Sequence, residues 1–387
     1  MTTATAAPER APAPPAGPAP DAPSTLLPRI GGLDLARAIA MAGMLVVHYM
    51  IPDRSGSLAD TVLESFSGRA MPLFMVLGGI GATIVASRRT QPDLNLLIRA
   101  GILFAMGVAL LEIDTWIAVV LQSYGLFFAL TPLLRRVPTV WLSVLTGVVA
   151  VFGAWSFQTL TDFPSEITID SYDEPFRSLW VLVFTGYYPL FPVASFFLLG
   201  MVLGRLPLRS ARVATALASV GAVLTVVPLV ASWVAQQVFD VFVPEGPRGF
   251  RESTGGWSPP FNPEAFDWAR LLDASGHSEM PVWVLSAAGS SLLIIGLGIL
   301  AGARWPAVTR PLEIVGRLAL TFYVIQVLAT NWLSEPWTQS LTQQAVTWAA
   351  IWFGFWIFAI AWHRWLGAGP LERLLRIGTR ARSRSTA

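Results

Sequence analysis

The sequence contains no cysteine and no lysine, only three histidines, and few charges of either sign. The missing cysteine excludes disulfides, a thiol nucleophile and thiolate metal sites. The histidines, His48, His277 and His363, lie far apart with no HxxxH or HxH spacing, so no metal site is expected. All 26 basic residues are arginine, which with the abundant alanine and proline fits a high-GC bacterial genome. Charged residues make up 13% and hydrophobic residues 54% of the 387 positions. A soluble domain carries about a quarter charged residues, so the composition is that of a polytopic membrane protein. The pI of 9.3 does not imply nucleic acid, because the arginines fall in short loops between apolar runs rather than on one basic face.

Residues 1–28 are Ala/Pro-rich with few large apolar groups, so they are expected to form a disordered tail; they have neither the apolar core nor the cleavage site of a signal peptide. Ten apolar runs follow, near 33–52, 66–87, 96–112, 114–134, 138–160, 179–203, 211–236, 281–303, 312–333 and 341–365. Each approaches the ~20 residues that a bilayer requires. The predicted fold is therefore an all-α membrane bundle of about ten spans, over 29–366, with an Arg-rich tail at 367–387. Placing both termini in the cytoplasm puts 20 of the 26 arginines inside and leaves Arg54, Arg69, Arg177, Arg248, Arg251 and Arg270 outside. Two long outer segments result, 161–178, rich in acids, and 237–280, whose FNPEAFDWARLL reads as an interfacial or re-entrant lid.

The first span, inside RIGGLDLARAIAMAGMLVVHY, carries ionisable groups at both ends. At about 100° per residue, Arg37, Met41, Leu45 and His48 all fall within roughly 60° of Asp34, on one face. Asp34 and His48 are 14 residues apart, which sets them ~21 Å apart along the helix, near opposite membrane surfaces. Ionisable groups within a span persist mainly where they face a bundle interior or a watery cavity. This helix is therefore read as the wall of a site, with His48 at its outer end.

LDxxRxxAMxGM…H at Leu33–His48 resembles the opening helix of the transmembrane acyltransferase superfamily. That superfamily comprises heparan-alpha-glucosaminide N-acetyltransferase-like, YeiB and DUF418-type proteins and, more distantly, the acyltransferase-3 family. GRAMPLFMVLGGIG at 68–81 is similar to its second helix. GHSEMPVWVLSAAGSSLLIIGLGIL at 276–300, GRLALTFYVIQVL at 316–328 and GAGPLERLLR at 367–376 are similar to the C-terminal part of DUF418-type proteins, in matching order. Ala38 stands where the family has glycine, and His48 stands where many DUF418-type members carry asparagine. Histidine at that position is the pattern of members with acetyl transfer.

The resemblance implies acyl transfer, chiefly of acetyl, from cytoplasmic acyl-CoA (acetyl-CoA) to a hydroxyl or amine of a glycan or small metabolite on the outer side of a bacterial inner membrane. His48 is the leading catalytic candidate, as a base or as an acyl carrier; the competing reading is an interfacial histidine satisfied at a helix end. Arg69 opens the second span on the same side and can hold a carboxylate or an oxyanion, or simply snorkel. His277, before the eighth span, can reach the same cavity as a second acid or base. Asp34 and Arg37 are expected to form a structural pair, with phosphate binding by Arg37 as the sharper alternative. Arg317 can receive the phosphates of a nucleotide-bearing donor or pair with Glu313. Tyr187, Tyr188, Gln122 and Gln326 lie within spans and are candidates to line the cavity, while His363 reads as interfacial. The expected partners are acyl-CoA, the acceptor and membrane lipids, with no metal and no nucleic acid, and a homodimer is left open. A transporter or flippase using Asp34, Arg37 and His48 as an ion path is the rival class. A scaffold without chemistry would not need His48.

Overall fold

The computed structural model describes residues 29–52, 57–87, 91–113, 115–160, 181–185, 188–239, 241 and 266–380. The tail at 1–28, the acidic segment 161–178, Tyr187, Arg54 and most of the expected lid, 242–265, lie outside the described residues. The chain divides into Met1–Ile30, of which only Arg29 and Ile30 are described, and Gly31–Ala387.

Among the described residues the second unit is built from helices, with no strand. In chain order these are α1 (Gly31–Tyr49), α2 (Leu58–Phe66), α3 (Ala70–Ala86), α4 (Pro92–Leu110), α5 (Leu121–Leu134), α6 (Thr139–Thr159) and α7 (Leu190–Leu203). They continue with α8 (Ala211–Val238), α9 (Pro281–Arg304), α10 (Pro306–Gly316), α11 (Ala319–Ala329), α12 (Leu341–Leu366) and α13 (Pro370–Arg380). Their starts follow local chemistry. Ser57 with Asp60 and Ser340 with Gln343 form capping boxes at α2 and α12, and proline occupies the first turn of α4, α9 and α10.

Among the described residues seven helical segments are long and apolar enough to cross a membrane, and α10 with α11 makes an eighth, bent by 57°. The apolar helices α5 and α7, 14 residues each, complete the correspondence with the ten expected runs. The boundary expected near 112–114 differs, since α4 ends at Leu110 and α5 begins only at Leu121. The intervening residues are held by side chains instead: Val120 N–H donates to the Tyr323 hydroxyl at 3.1 Å and Trp116 Nε1 donates to the His48 carbonyl at 3.1 Å.

α1 is the axis of the bundle, packed against α2, α3, α9, α10, α11 and α12. Its Met41, Leu45 and Tyr49 share a core cluster with Val315, Leu318, Phe322, Trp352 and Phe355. α8 is the opposite case. Val220, Val223, Val226, Val227, Val230 and Trp233 all point outward, a surface suited to lipid and unsuited to water. α3 and α7 pack together with Gly79 and Gly200 at backbone contact.

The bend between α10 and α11 has a specific support. Gly316 lies against the Asp34 backbone, where a Cβ would collide, and the amides freed at the start of α11 are taken by Glu372. Its Oε1 accepts from Leu320 N at 2.8 Å and Thr321 N at 3.1 Å, and its Oε2 accepts from the Thr321 hydroxyl at 2.6 Å. Broken helices are tolerated in membranes where protein groups re-satisfy the backbone in this way. Residues 370–380 of the Arg-rich tail are thus helical, with Glu372 reaching back to the bundle.

Candidate functional site

The ionisable residues of α1 belong to two separate clusters, one at each end of that helix. At the first, Asp34 is buried and forms an ion pair with Arg37 one turn on. Arg317, at the α10–α11 break, lies 3.5 Å from Asp34 and 3.9 Å from Glu313, and Glu313 accepts a 2.9 Å hydrogen bond from Thr309. Both pairings expected from sequence are present, and Asp34 links them. The guanidinium side chains of Arg37 and Arg317 keep 27% and 24% of their surface exposed, against 5% for Asp34. The carboxylates therefore anchor the arginines from within while their outer N–H groups remain accessible, an arrangement that fits an anionic phosphate group. Arg37 is also within electrostatic reach of Tyr124, whose hydroxyl donates to the Phe74 carbonyl.

About 21 Å along α1, His48 is half-buried at the second cluster. Its Nδ1 lies 3.5 Å from Nε2 of Gln326 on α11, and its backbone carbonyl holds Trp116, which in turn stacks edge-on against Tyr49. His48 and His277 are close enough for their charges to repel. The His277 ring meets Tyr188 and Trp283 with centroids 5.9 Å away in each case. Arg69, the residue before α3, donates from Nη1 to the Ser286 hydroxyl at 2.7 Å, one turn after Trp283 on α9.

The device that brings Arg69 and His277 together is Gly68. It is left-handed at φ 66°, and the space where a Cβ would stand holds Trp283 Nε1, Gly276 Cα and the His277 amide. His277 and Glu279 are left-handed as well, at φ 62° and 58°, in a segment fixed by Ser275 N–H to Asp273 Oδ1 at 2.8 Å and by Ser278 to the Asp273 carbonyl at 3.2 Å. This loop lies outside the helices. Burial lowers the His277 imidazole to about 4 and raises the Glu279 carboxyl to about 8.

The structure thus gathers His48, His277 and Arg69 at one end and Asp34, Arg37 and Arg317 at the other. Tyr188 joins the histidine cluster, Gln326 contacts His48 itself, and Gln122 is buried beside Gly107. His363 remains half-buried near the end of α12, with its Nδ1 3.3 Å from the Gly367 carbonyl. A cavity of about 160 Å³ lined by Thr83, Ala86, Ser87, Arg135, Met201 and Arg205 lies at the end of α3 remote from Arg69 and touches none of the histidines. Glu279, Trp283 and Ser286, which adjoin this cluster, are not singled out by the sequence. They lie in or just after GHSEMP, and only the left-handed turn reveals that this segment folds inward.

Apolar helices arranged around a buried helix with ionisable groups at both ends are those of a multi-pass membrane protein. A family model described as heparan-alpha-glucosaminide N-acetyltransferase, catalytic, matches residues 29–233, just over half of the sequence, and the chain belongs to that family. A second model, protein of unknown function (DUF418), matches residues 263–382. No curated protein matches. His48, Arg69, Asp34 and Arg37 come from the first matched segment and His277, Gln326 and Arg317 from the second, so each cluster draws on both.

Proposed function

We propose that this protein is a membrane acetyltransferase that moves an acetyl group from acetyl-CoA to a hydroxyl or amine of a glycan or small metabolite. Two observations support the reading together: membership of the acetyltransferase catalytic family, and the convergence of His48, His277 and Arg69 at one end of α1.

The thioester arrives activated, so the protein chiefly has to position the acceptor and manage one proton. The acceptor oxygen or nitrogen attacks the thioester carbonyl carbon. The new C–O or C–N bond forms as the C–S bond breaks, and its electron pair leaves on sulfur. The acceptor's proton passes to the His48 imidazole and from there to the departing thiolate, which leaves as CoA thiol. Arg69 faces the charge that develops on the carbonyl oxygen, and His277 takes a share of the proton traffic. Arg37 and Arg317 hold the phosphates of CoA at the Asp34 end. With both termini cytoplasmic, the Asp34 end meets the cytoplasmic donor and the His48 end meets the acceptor on the outer side of the cell membrane.

One specific feature favours a transporter as the second reading, because the α10–α11 span is broken beside Arg317 and Asp34. Purified protein in liposomes, supplied with radiolabelled acetyl-CoA on one side and amine or hydroxyl acceptors on the other, separates the two. Acetylated acceptor supports the transferase. Acceptor crossing the membrane unmodified, with no label transferred, favours transport.

A further inference from the structure

Glu279 stands out among the described residues that the mechanism above leaves unused. It is 1% exposed, and neither carboxyl oxygen has a hydrogen-bond partner among the described residues. Buried polar groups in folded proteins are nearly always satisfied, and one that is not calls for an explanation such as a ligand or a catalytic role. Its neighbours contrast with it. Ser278 bonds to the Asp273 carbonyl, and Met280 Sδ accepts from Gln158 Nε2 at 3.3 Å, so the segment around Glu279 is tied down while its own side chain is left open.

The backbone adds an independent observation. Only three non-glycine residues among the described ones have positive φ, and two of them are His277 and Glu279. Left-handed backbone at a non-glycine residue is unfavourable and persists where surrounding structure enforces it, typically at functional sites. Here the enforcement is visible, since Gly276 abuts Ser67 and Gly68 abuts His277. Two strained residues therefore frame a turn that brings His277 to His48 and buries a carboxyl two positions later.

Resting on the acetyltransferase reading, we propose that Glu279 is an acceptor-binding residue, whose two carboxyl oxygens take the N–H or O–H donors of an amine- or hydroxyl-bearing substrate beside His48 and His277. A carboxyl offers two oxygens to adjacent donors, the pattern that an amino sugar or a vicinal diol presents. The Glu279 carboxyl has no hydrogen-bond partner among the described residues until such a substrate enters, and this is the arrangement that discriminates most strongly against analogues lacking the donors. Burial holds the carboxyl of the empty site neutral up to about 8, and the donors of a bound amine or hydroxyl substrate favour its ionised form, in which both oxygens accept.

The test uses the full chain in liposomes with radiolabelled acetyl-CoA and glucosamine, glucose, ethanolamine and glycerol as acceptor probes, comparing the unaltered protein with Glu279→Gln and Glu279→Met. For whichever probe the unaltered protein acetylates, both variants should raise the acceptor KM by about tenfold or more, while the KM for acetyl-CoA stays unchanged. Glu279→Met should also leave Tm equal or higher, because it removes an unsatisfied buried group. An unchanged acceptor KM in Glu279→Gln overturns the proposal and leaves the acetyltransferase reading standing. A lowered Tm in Glu279→Met, the signature of a structural carboxyl, also overturns it. No label transfer to any probe by the unaltered protein contradicts the acetyltransferase reading and, with it, this proposal.

Discussion

Gln326 sets its side-chain amide 3.5 Å from the Nδ1 of His48, joining residues 278 positions apart. The Gln326 backbone carbonyl is itself held by the Tyr49 hydroxyl at 3.1 Å, so the residue next to His48 fixes the residue that faces it. The amide nitrogen faces Nδ1, so it donates there when that nitrogen carries no proton and holds the orientation of the imidazole ring. On the acetyltransferase reading Gln326 is a positioning residue for His48.

Gln326→Leu should lower kcat by about tenfold, part of the 10²–10⁴ that a placed general base contributes, with KM for acetyl-CoA unchanged. Gln326→Asn, which keeps the amide on a shorter stem, should recover part of the loss. A kcat in Gln326→Leu equal to that of the unaltered protein would remove Gln326 from the site.

The docking of the His277 segment should be sensitive to one added methyl group. Gly68→Ala forces a Cβ into Trp283 and the 276–277 backbone at a left-handed φ of 66°. The combined overpacking and backbone strain should cost about 2–4 kcal/mol. Denaturation in detergent should show a lower Tm, and transfer should fall with it. Gly81→Ala, where a Cβ meets nothing within 4 Å, is the matched control.

Much of this architecture was legible in the sequence because membranes simplify the problem. Long apolar runs become helices, so the spans followed from hydropathy, and the polar stripe of α1 followed from helical period. The pairing of Asp34 with Arg37 and of Glu313 with Arg317 also followed, since both are local. What was not legible is long-range. Nothing in the spacing reveals that Asp34 reaches Arg317, that Gln326 rather than Gln122 meets His48, or that α10 and α11 part at Gly316. These depend on which helix faces pack together. Glu279 was hidden for another reason: in a loop between spans an acid reads as solvated, and its burial depends on two left-handed residues that a sequence does not display.

The two buried groups of that loop make stability depend on pH in opposite senses. The Glu279 carboxyl titrates near 8 when folded and near 4.5 when exposed, so its contribution is full below 4.5 and is lost as pH rises through about 8. His277 titrates near 4 when folded and near 6.5 when exposed, so its contribution is full above 6.5 and is lost as pH falls through about 4. Between 4.5 and 6.5 the two slopes oppose, and above 6.5 only that of Glu279 remains. Thermal unfolding should therefore show Tm falling from pH 6.5 to 8, with that fall flattened in Glu279→Gln. An equal fall in the variant would assign the slope to other groups.

Donor binding tests the opposite end of α1. Arg317→Lys keeps the charge but loses the planar fork that spans Asp34 and Glu313. This variant and Arg37→Ala should each weaken CoA binding, measured by calorimetry, by about tenfold, while acceptor KM is unaffected. Undiminished CoA affinity in both variants would separate this cluster from the donor.

The most direct test of the central claim is the single-turnover rate of acetyl transfer in His48→Ala, with acetyl-CoA binding measured on the same sample. The account predicts a loss of about 10²–10⁴ in rate with CoA affinity and Tm preserved, and the same loss in His48→Asn, whose amide cannot take the acceptor's proton. Full transfer by His48→Ala would contradict it.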